Sequence, residues 1–582
     1  MSSPSKRPQL LSQELRRRLR LLGQPDESWG LLLLLAVVVG LASGGAAVLL
    51  RTAVHQLFHW LAAYRHGVVA VLLPGLGGWL GILIVQKLFR EEPGHGVPEV
   101  IRAVCRRGGA LPRRAIFSRW LGSLVNVASG ASAGLEGPTV YSGAALGSFV
   151  GKRFGVDERR RSVLLACGVA GGIAAIFNAP MTGLIFAAEV VLAEWSTFTI
   201  VPIVIAAVAG TELSRLLLGD HAAFMHTPFA MGPQDLVLCA LLGVLAGLLS
   251  VVFVRTTHWV HGLGRKHPAG WQLKPLLLGL CVGAIGLLSV DTIGEGYGVA
   301  QSIIDGDLGR GAWLCLALLV GKLIASSLTL GSGSPGGIFA PSLVLGSLLG
   351  GTFGRGMQAL FPDGALAQPG SYGLVGMAGL VAGVMQAPLT GIFLVLEITR
   401  GYDVILPLMI VSVLALLVCR RFHRYSPYLW ELAQRGELLR PGTDRRILAD
   451  VFVRDVLDVD VTTIHEDLPL ADFLKVLKHS RRNNFPVLEA GGERFVGMLD
   501  VSSVREILMD PELVQMTIVG TLLSTHYPVV SVDTSLTECM GIFDEQRVWV
   551  LPIVDGERFV GLVSKSSLFD HYRRELNAQL PE

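Results

Sequence analysis

The pattern of apolar and charged positions divides the chain into two parts. Along the longer N-terminal part, apolar runs are separated by short charged loops. Two of these runs, Trp29–Leu50 and Leu236–Val254, contain no charged residue, and each is long enough to cross a bilayer. From Arg440 onward, charged residues recur as often as in a soluble protein. The pattern predicts an all-α polytopic membrane domain followed by a water-soluble C-terminal domain.

Two stretches of the apolar part are related in sequence. FNAPMTGLIFAAEV (Phe177–Val190) and MQAPLTGIFLVLEI (Met385–Ile398) share Ala-Pro, Thr-Gly and a Glu at the same spacing. A second pair, Gly137–Gly147 and Ala340–Gly350, shares a Pro, a Leu and two Gly in the same order. Apolar segments that are interrupted by Gly and Pro and recur in two halves of a chain indicate a transporter fold of inverted-topology repeats with broken helices.

The C-terminal part is also doubled. Asn483–Leu508 resembles Val548–Tyr572, and the sequence ERFVG occurs in both, at 493–497 and 557–561. Each copy has the pattern of a strand, a turn with Gly, a second strand and an amphipathic helix. The pattern predicts a pair of small α/β modules.

These patterns, together with the basic residues, set the predicted organisation. Lys and Arg are concentrated before the first apolar run and after the last one, which predicts cytoplasmic termini and an even number of crossings. The first residues are equally compatible with a basic helix on the inner membrane surface and with no fixed structure. The predicted bounds are a basic segment at 1–28, a membrane domain at 29–430 with repeats at about 30–215 and 235–420, a linker at 431–450, and modules at 451–510 and 515–575.

Composition agrees with a membrane protein and argues against several other classes. Charged residues make up 16% of the chain, against about a quarter in a soluble protein. The net charge of +3 gives no reason to expect a nucleic-acid partner. The seven cysteines form no CxxC pair, so we interpret them as core residues and predict neither a disulfide framework nor a metal site.

Three Gly- and Pro-rich stretches interrupt the membrane part: GHGVPE (Gly94–Glu99), GLEGP (Gly134–Pro138) and GSGSPGGIFAP (Gly331–Pro341). In each, Gly precedes Pro and an apolar run follows, which predicts a helix that starts inside the bilayer. Free N–H groups at a helix start attract an anion without any lysine or arginine. Partial charges also let the anion leave again, whereas a full positive charge would hold it too tightly.

Glu136 lies within the second of these stretches. A carboxylate at such a helix start occupies the position of a permeant anion, and protonation would neutralise and release it. Glu136 is therefore a candidate gate and proton carrier, because carboxylates inside the membrane are usually functional. The alternative is a structural glutamate that caps the helix.

Two motifs leave other functions open. Gly130–Gly134 fits G-x-S-x-G, the elbow of a serine hydrolase, but apolar helical runs flank it instead of a strand. Gly331–Gly336 fits G-x-G-x-x-G, but it follows an apolar helix and not a strand of a βαβ unit. We predict no catalytic residue and no enzymatic activity.

The ordered motifs resemble those of the CLC family of chloride channels and chloride/proton antiporters. The family patterns GxGxP, GxEGP and GxFxP correspond to residues 94–98, 134–138 and 337–341, and the doubled C-terminal modules resemble CBS domains. The resemblance implies a homodimer in the lipid bilayer of the cell membrane, with one chloride pore in each subunit. The glycines that would open the anion site at these helix starts are Gly94, Gly96, Gly134, Gly137 and Gly337.

The resemblance also implies individual roles. Glu136 corresponds to the outer gating glutamate, and the amides of Ile338 and Phe339 correspond to donors at the central chloride site. The hydroxyl of Tyr428 would close that site from the inside, with Tyr425 as a rival for this role.

Two departures from the family pattern concern the anion and the proton. His95 stands where the family has a serine, so it would either donate to chloride or titrate near neutral pH, and it leaves anion selectivity open. Many antiporters of the family have two glutamates where this chain has Glu189 and Val190, and the second is the inner proton station. Valine cannot carry a proton, and Glu189 is more plausibly structural. We therefore favour a passive chloride channel with a glutamate gate, with a proton/chloride antiporter as the alternative.

A third departure concerns the CBS pair. Nucleotide-binding CBS domains often have an Asp six residues after the strand Gly, where this chain has Ser503 and Ser567. No cofactor is expected to be required, and adenine-nucleotide binding is not favoured. A non-conducting membrane sensor with the CBS pair as its output is the remaining alternative, although a sensor would not need the broken helices.

Overall fold

The computed structural model describes residues 25–220, 224, 231–263, 270–306, 312–362, 366–435, 437, 452–480 and 482–579. The chain forms two compact units, Met1–Leu438 and Leu439–Glu582. Most of the predicted basic segment at 1–28 and most of the predicted linker at 431–450 lie outside the described residues.

The first unit is entirely helical in its described part. Its helices are α1 (Pro25–Ala62), α2 (Gly67–Leu83), α3 (Val97–Arg106), α4 (Ala115–Ala128), α5 (Glu136–Phe154), α6 (Glu158–Phe177), α7 (Pro180–Phe186), α8 (Thr197–Leu218), α9 (Pro233–Gly262), α10 (Gly270–Leu288), α11 (Tyr297–Ile304), α12 (Ala312–Gly331), α13 (Phe339–Leu360), α14 (Pro369–Met385), α15 (Pro388–Thr399), α16 (Ile405–Phe422) and α17 (Pro427–Gln434). Within the described ranges, seven helical segments are long and apolar enough to span a membrane.

Glycine pairs hold the central helices of each half close together. Gly143 on α5 faces Gly168 on α6, and Gly346 on α13 faces Gly376 on α14 in the same way. A Cβ atom on any of these four residues would overlap the carbonyl oxygen of the facing glycine. Small residues of this kind let membrane helices approach closely. The two halves therefore repeat the same helix crossing at corresponding positions.

Backbone conformation repeats even where the side chains differ. Asn178 ends α6 with φ of 56°, and Gln386 ends α14 with φ of 56°. Ala193 and Arg400, which follow the next apolar segment in each half, have φ of 53° and 55°. Such left-handed residues are uncommon outside glycine, so this agreement supports two structural repeats.

The two halves cap each other's helices through a pair of glutamates. Glu189, in a π-helical turn after α7, accepts hydrogen bonds from the amide and hydroxyl of Thr390 on α15, at 2.8 and 2.7 Å. Glu397 on α15 accepts from the amide and hydroxyl of Thr182 on α7, both at 2.7 Å. A further first-turn amide donates to each carboxylate. Each glutamate therefore satisfies the helix start of the opposite half.

The second unit contains two α/β modules. Its elements are α18 (Val453–Val456), β1 (Ile464–His465), α19 (Leu470–His479), β2 (Asn484–Leu488), β3 (Phe495–Asp500), α20 (Arg505–Leu508), α21 (Pro511–Met516), α22 (Leu536–Glu545), β4 (Val550–Asp555), β5 (Arg558–Ser564) and α23 (Lys565–Gln579). Strands β2 and β3 pair antiparallel, as do β4 and β5, and β1 adds to β2 in parallel. The predicted order of strand, turn, strand and helix is therefore present twice.

The repeated ERFVG segments of this unit meet each other. Arg494 of the first copy pairs with Glu557 of the second at 3.3 Å, and Arg558 pairs with Glu493 at 2.6 Å. The rings of Phe495 and Phe559 stack with centroids 6.1 Å apart. The surface ion pairs contribute little energy by themselves. Their reciprocity indicates that the two modules are related by an approximate two-fold axis.

Replacement of Glu397 by alanine is expected to lower the free energy of unfolding by about 1–3 kcal/mol, because the first-turn amides and the Thr182 hydroxyl would lose a charged acceptor. Thermal unfolding in detergent would measure the effect. Glu189→Ala should cost a similar amount because its contacts on Thr390 are equivalent. Glu212→Ala, at an exposed ion pair with Arg215, is the control. Equal effects of all three substitutions would contradict the reciprocal caps.

Candidate anion site at three helix starts

The three interrupted stretches meet in the middle of the membrane unit. Gly134 and Gly337 exchange backbone hydrogen bonds, N to O, at 2.9 and 2.6 Å. Gly94 N donates to Gly333 O at 3.1 Å, and the Asn126 side chain donates to Pro335 O at 2.8 Å. Backbone groups that would otherwise be unpaired at bilayer depth are thus satisfied across the two halves.

Three helices begin at this junction, as the sequence predicts. Helix α3 follows Gly96, whose φ of 89° suits glycine, while α5 begins at Glu136 and α13 begins at Phe339. No residue before these helices donates or accepts a side-chain capping bond. Their first-turn N–H groups are therefore available to another acceptor, and those of Glu136 and Ala340 are directed toward the Glu136 carboxylate.

The space between these helix starts depends on glycine. A Cβ atom on Gly137 would lie 3.0 Å from the carbonyl oxygen of His95 and 3.2 Å from that of Gly336. A Cβ atom on Gly337 would fall against the carboxylate of Glu136. The five glycines of the sequence prediction, Gly94, Gly96, Gly134, Gly137 and Gly337, lie in these three loops and helix starts.

Glu136 lies at the centre of the junction with no exposed surface. Its Oε1 atom accepts a hydrogen bond from the hydroxyl of Tyr297 at 2.9 Å. The amides of Glu136 itself and of Ala340 on α13 are directed toward the carboxylate. The Oε2 atom has no hydrogen-bond partner within the described structure. The carboxylate is thus held between two helix starts, in the position an anion would take.

Ile338 and Phe339 present their backbone at the start of α13, and both side chains are buried. The Phe339 ring packs on the rings of Phe186 and Phe177, with centroids 5.3 and 6.0 Å apart. This packing fixes the start of α13, so the first amides of the helix keep their direction.

Tyr428 and His95 lie together on the α17 side of the junction. The Tyr428 side chain is buried, and its ring centroid lies 5.3 Å from that of His95. Tyr425, the rival residue, is partly exposed, and the guanidinium of Arg424 lies 5.6 Å from its ring centroid. The structure therefore places Tyr428, and not Tyr425, beside the GxGxP loop. The Nδ1 atom of His95 is buried and has no hydrogen-bond partner among the described residues.

Val190 and Glu189 belong to a different part of the membrane unit. Both lie in the π-helical turn after α7, where Val190 packs against the apolar core. Glu189 is occupied by its contacts with the start of α15. The residues at the family's inner proton position therefore offer one apolar side chain and one structural carboxylate.

Two cavities flank the junction, and we name them outer and inner after the orientation predicted from the sequence. The outer cavity, of about 560 Å³, is lined by Leu135, Tyr297 and Glu295. The inner cavity, of about 320 Å³, is lined by His95, Ile338 and residues of α9 and α17. Glu136 lies between them, because Leu135 borders the first and the loop of His95 borders the second.

Sequence reasoning missed the polar groups of the outer cavity. Tyr297 holds the carboxylate of Glu136, and the neighbouring Glu295 interacts electrostatically with Glu136 and with the buried Lys322. Lys322 Nζ donates to the carbonyl of Gly294 at 2.8 Å. The only sequence signal was an aromatic residue between two glycines, in Glu295-Gly296-Tyr297-Gly298, which fits no motif by itself.

The serine of the other motif makes hydrogen bonds to two residues of α12. The hydroxyl of Ser132, the elbow serine of the hydrolase alternative, lies 2.9 Å from that of Ser326, and its amide donates to Thr329. Within the described ranges, no group of three or more His, Cys, Asp or Glu side chains is arranged to hold a metal ion.

Several known proteins are similar to this chain. Residues 77–420 match the family described as voltage gated chloride channel, and residues 453–510 and 519–574 match the CBS domain. A provisionally named ClcB-like chloride channel protein of Ralstonia nicotianae is 33% identical over 427 residues, 70% of this chain and 98% of the relative. The H⁺/Cl⁻ exchange transporter ClcA of Vibrio cholerae is 32% identical over 409 residues, 66% of this chain and 85% of the relative.

A solved structure has the same fold. The slow cyanobacterial Cl⁻/H⁺ antiporter superposes with a TM-score of 0.64 and 26% identity, over 70% of this chain and 98% of the antiporter. The match of the family model over more than half of the chain, the three ordered motifs and the broken-helix junction agree with one another. The chain therefore belongs to the CLC family of chloride channels and transporters, is an integral membrane protein, and carries a C-terminal pair of CBS domains.

Proposed function

We propose that this protein is a proton-coupled antiporter that exchanges chloride for protons across the cell membrane. The observation that carries the proposal is Glu136, a buried carboxylate between two helix starts with one oxygen unpaired. We further propose that it acts as a homodimer with both termini in the cytoplasm. No cofactor is needed for this activity.

The position of Glu136 supports exchange because one site serves two ions. While it is charged, the carboxylate competes with chloride for the first-turn amides of α5 and α13. When it takes up a proton it loses that competition, and chloride can replace it. The same side chain then has to release its proton before it can return. Alternation between these states moves a proton one way and chloride the other.

The relatives support exchange over passive conduction. The Vibrio cholerae relative is named as an H⁺/Cl⁻ exchange transporter, and the structural neighbour is described as a Cl⁻/H⁺ antiporter. This support reverses the preference for a passive channel that Val190 suggested. Replacement of one inner residue removes one proton carrier, but it leaves the gate intact.

A passive chloride channel remains the second candidate, and Val190 is the observation that favours it. Its side chain packs in the core, and the adjacent Glu189 is occupied as a cap. If no other inner group carried a proton, Glu136 would act only as a gate for chloride.

The reversal potential of purified protein in liposomes separates the two candidates. Under opposed chloride and pH gradients, we expect the zero-current potential to differ from the chloride equilibrium potential and to move when only the pH gradient changes. This follows because each exchange cycle carries both ions. A potential that stays at the chloride equilibrium value at every pH gradient would establish the channel.

Glu136→Ala is expected to abolish proton flux and to make chloride flux insensitive to pH, because no titratable side chain would compete for the anion position. In the unmodified protein, chloride flux should rise as the pH falls, since protonation neutralises the carboxylate. Chloride efflux from liposomes measures both effects. The pH should range from about 4.5, near the usual pKa of a glutamate, to about 8. Glu158→Ala, at an exposed carboxylate on α6, is the control. Retained pH dependence in Glu136→Ala would exclude the gate.

Tyr297→Phe is expected to raise chloride flux at neutral pH by about tenfold, since a hydrogen bond to a charged group contributes about 1.5–3 kcal/mol. Loss of the 2.9 Å contact would let the carboxylate leave the anion position more often. The ratio of the fluxes at pH 7.5 is the measurement, and Tyr402→Phe at an exposed residue is the control. An unchanged flux would mean that Tyr297 does not hold the gate.

A further inference from the structure

The lining of the inner cavity includes a cluster of histidines. The cavity lies beside α17, the last described helix before the C-terminal unit. It reaches the anion site through the loop of His95 and through Ile338. Its titratable and charged lining residues are Glu92, His95, His258, His261, Glu431 and Arg435.

We infer that His258, His261 and His95 form a proton relay between the solution on the α17 side and Glu136. The inference rests on the proposed proton coupling and replaces the missing carboxylate at Val190. A proton that arrived from this side could not use the valine, and Glu189 is engaged with Thr390. Among the described residues, the inner cavity connects the side of α17 with the anion site. Titratable side chains line this cavity.

The arrangement of the rings suits a relay. The His258 ring stacks on the Trp430 ring, with centroids 4.3 Å apart and planes 23° apart, so its orientation is fixed. His261 lies one helical turn further along α9 and interacts electrostatically with both His258 and His95. The Nδ1 atom of His95 is buried and unpartnered, and is therefore available to accept a proton.

Histidine is chemically suited to each transfer. The neutral ring accepts a proton at one nitrogen and releases another proton from the second, and it does so near neutral pH. A proton from water would enter at His258, pass through His261 to His95, and end on the carboxylate of Glu136, with no change in oxidation state. Water in the cavity can bridge the intervals between the rings.

Charged side chains of both signs surround the histidines. Arg435 pairs with Glu431 at 2.7 Å and lies 3.5 Å from Glu92, so the acidic lining residues face an arginine. The other groups that face the cluster are Arg119 and Tyr428 beside His95, His423 beside His258, and Arg255 beside His423. Arg119 is itself paired with Glu91 at 2.9 Å. Arg435 and Arg119 are thus each paired with a carboxylate.

The test compares proton and chloride fluxes of the full-length protein in liposomes. In the double variant His258→Gln/His261→Gln, proton flux should fall at least about tenfold relative to chloride flux, in line with the typical effect of removing a positioned proton carrier. The zero-current potential should then move toward the chloride equilibrium potential. His66→Gln, at an exposed histidine before α2, is the matched control.

The outcomes separate the relay from the proposed function. If the unmodified protein couples protons and the double variant couples them equally well, the relay is wrong and antiport stands. If the unmodified protein shows no proton coupling, antiport fails and the relay fails with it. Should the double variant lose chloride flux as well, His261→Gln alone decides, because that variant keeps the stacking of His258 on Trp430. Normal coupling in that variant would overturn the relay.

Discussion

The membrane unit is organised by one constraint: helices that begin inside the bilayer expose N–H groups that water cannot reach. Such groups are costly unless something accepts their hydrogen bonds. At α7 and α15 the acceptors are the carboxylates of Glu397 and Glu189, which close those helix starts permanently. At α5 and α13 no side chain caps the helix. In the proposed exchange, the donors there bind the Glu136 carboxylate and chloride in turn.

Each repeat contains a capped helix start and an uncapped helix start, at corresponding positions. The repeats differ in the first residue of the uncapped helix. Gly134 and Gly337 occupy corresponding positions and bind each other. The next corresponding pair comprises Glu136 and Phe339, the first residues of α5 and α13. One helix start therefore carries a carboxylate, whereas the other carries an apolar ring that packs on Phe186 and Phe177. In the proposed exchange, this difference gives a symmetric scaffold one gate.

Local chemistry explains what could be predicted from the sequence. Gly and Pro mark the interrupted helices wherever the fold places them, so α3, α5 and α13 each start within one of the three predicted stretches. The doubled α/β modules are recognisable for the same reason, because strand and turn patterns are short. The contacts of Glu136 with Tyr297 and of Glu189 with Thr390 could not be predicted, since they join residues 161 and 201 positions apart. The inner cavity likewise unites α9 with α17, and single histidines on separate helices form no sequence motif.

The reciprocal caps also change what Val190 implies about proton transport. A glutamate at position 190 would be a second carboxylate beside Glu189, which already caps α15. With valine at this position, the turn has no carboxylate other than that cap. The inner cavity, by contrast, has charged and titratable side chains in its lining, and one of them is His95, which borders the anion site. Because His95 and chloride share this border, a proton on the ring would attract the anion, and the anion would favour the proton. Proton transfer and chloride binding would then depend on each other at His95. This residue lies next to the Glu136 carboxylate, which takes up the proton in the proposed exchange.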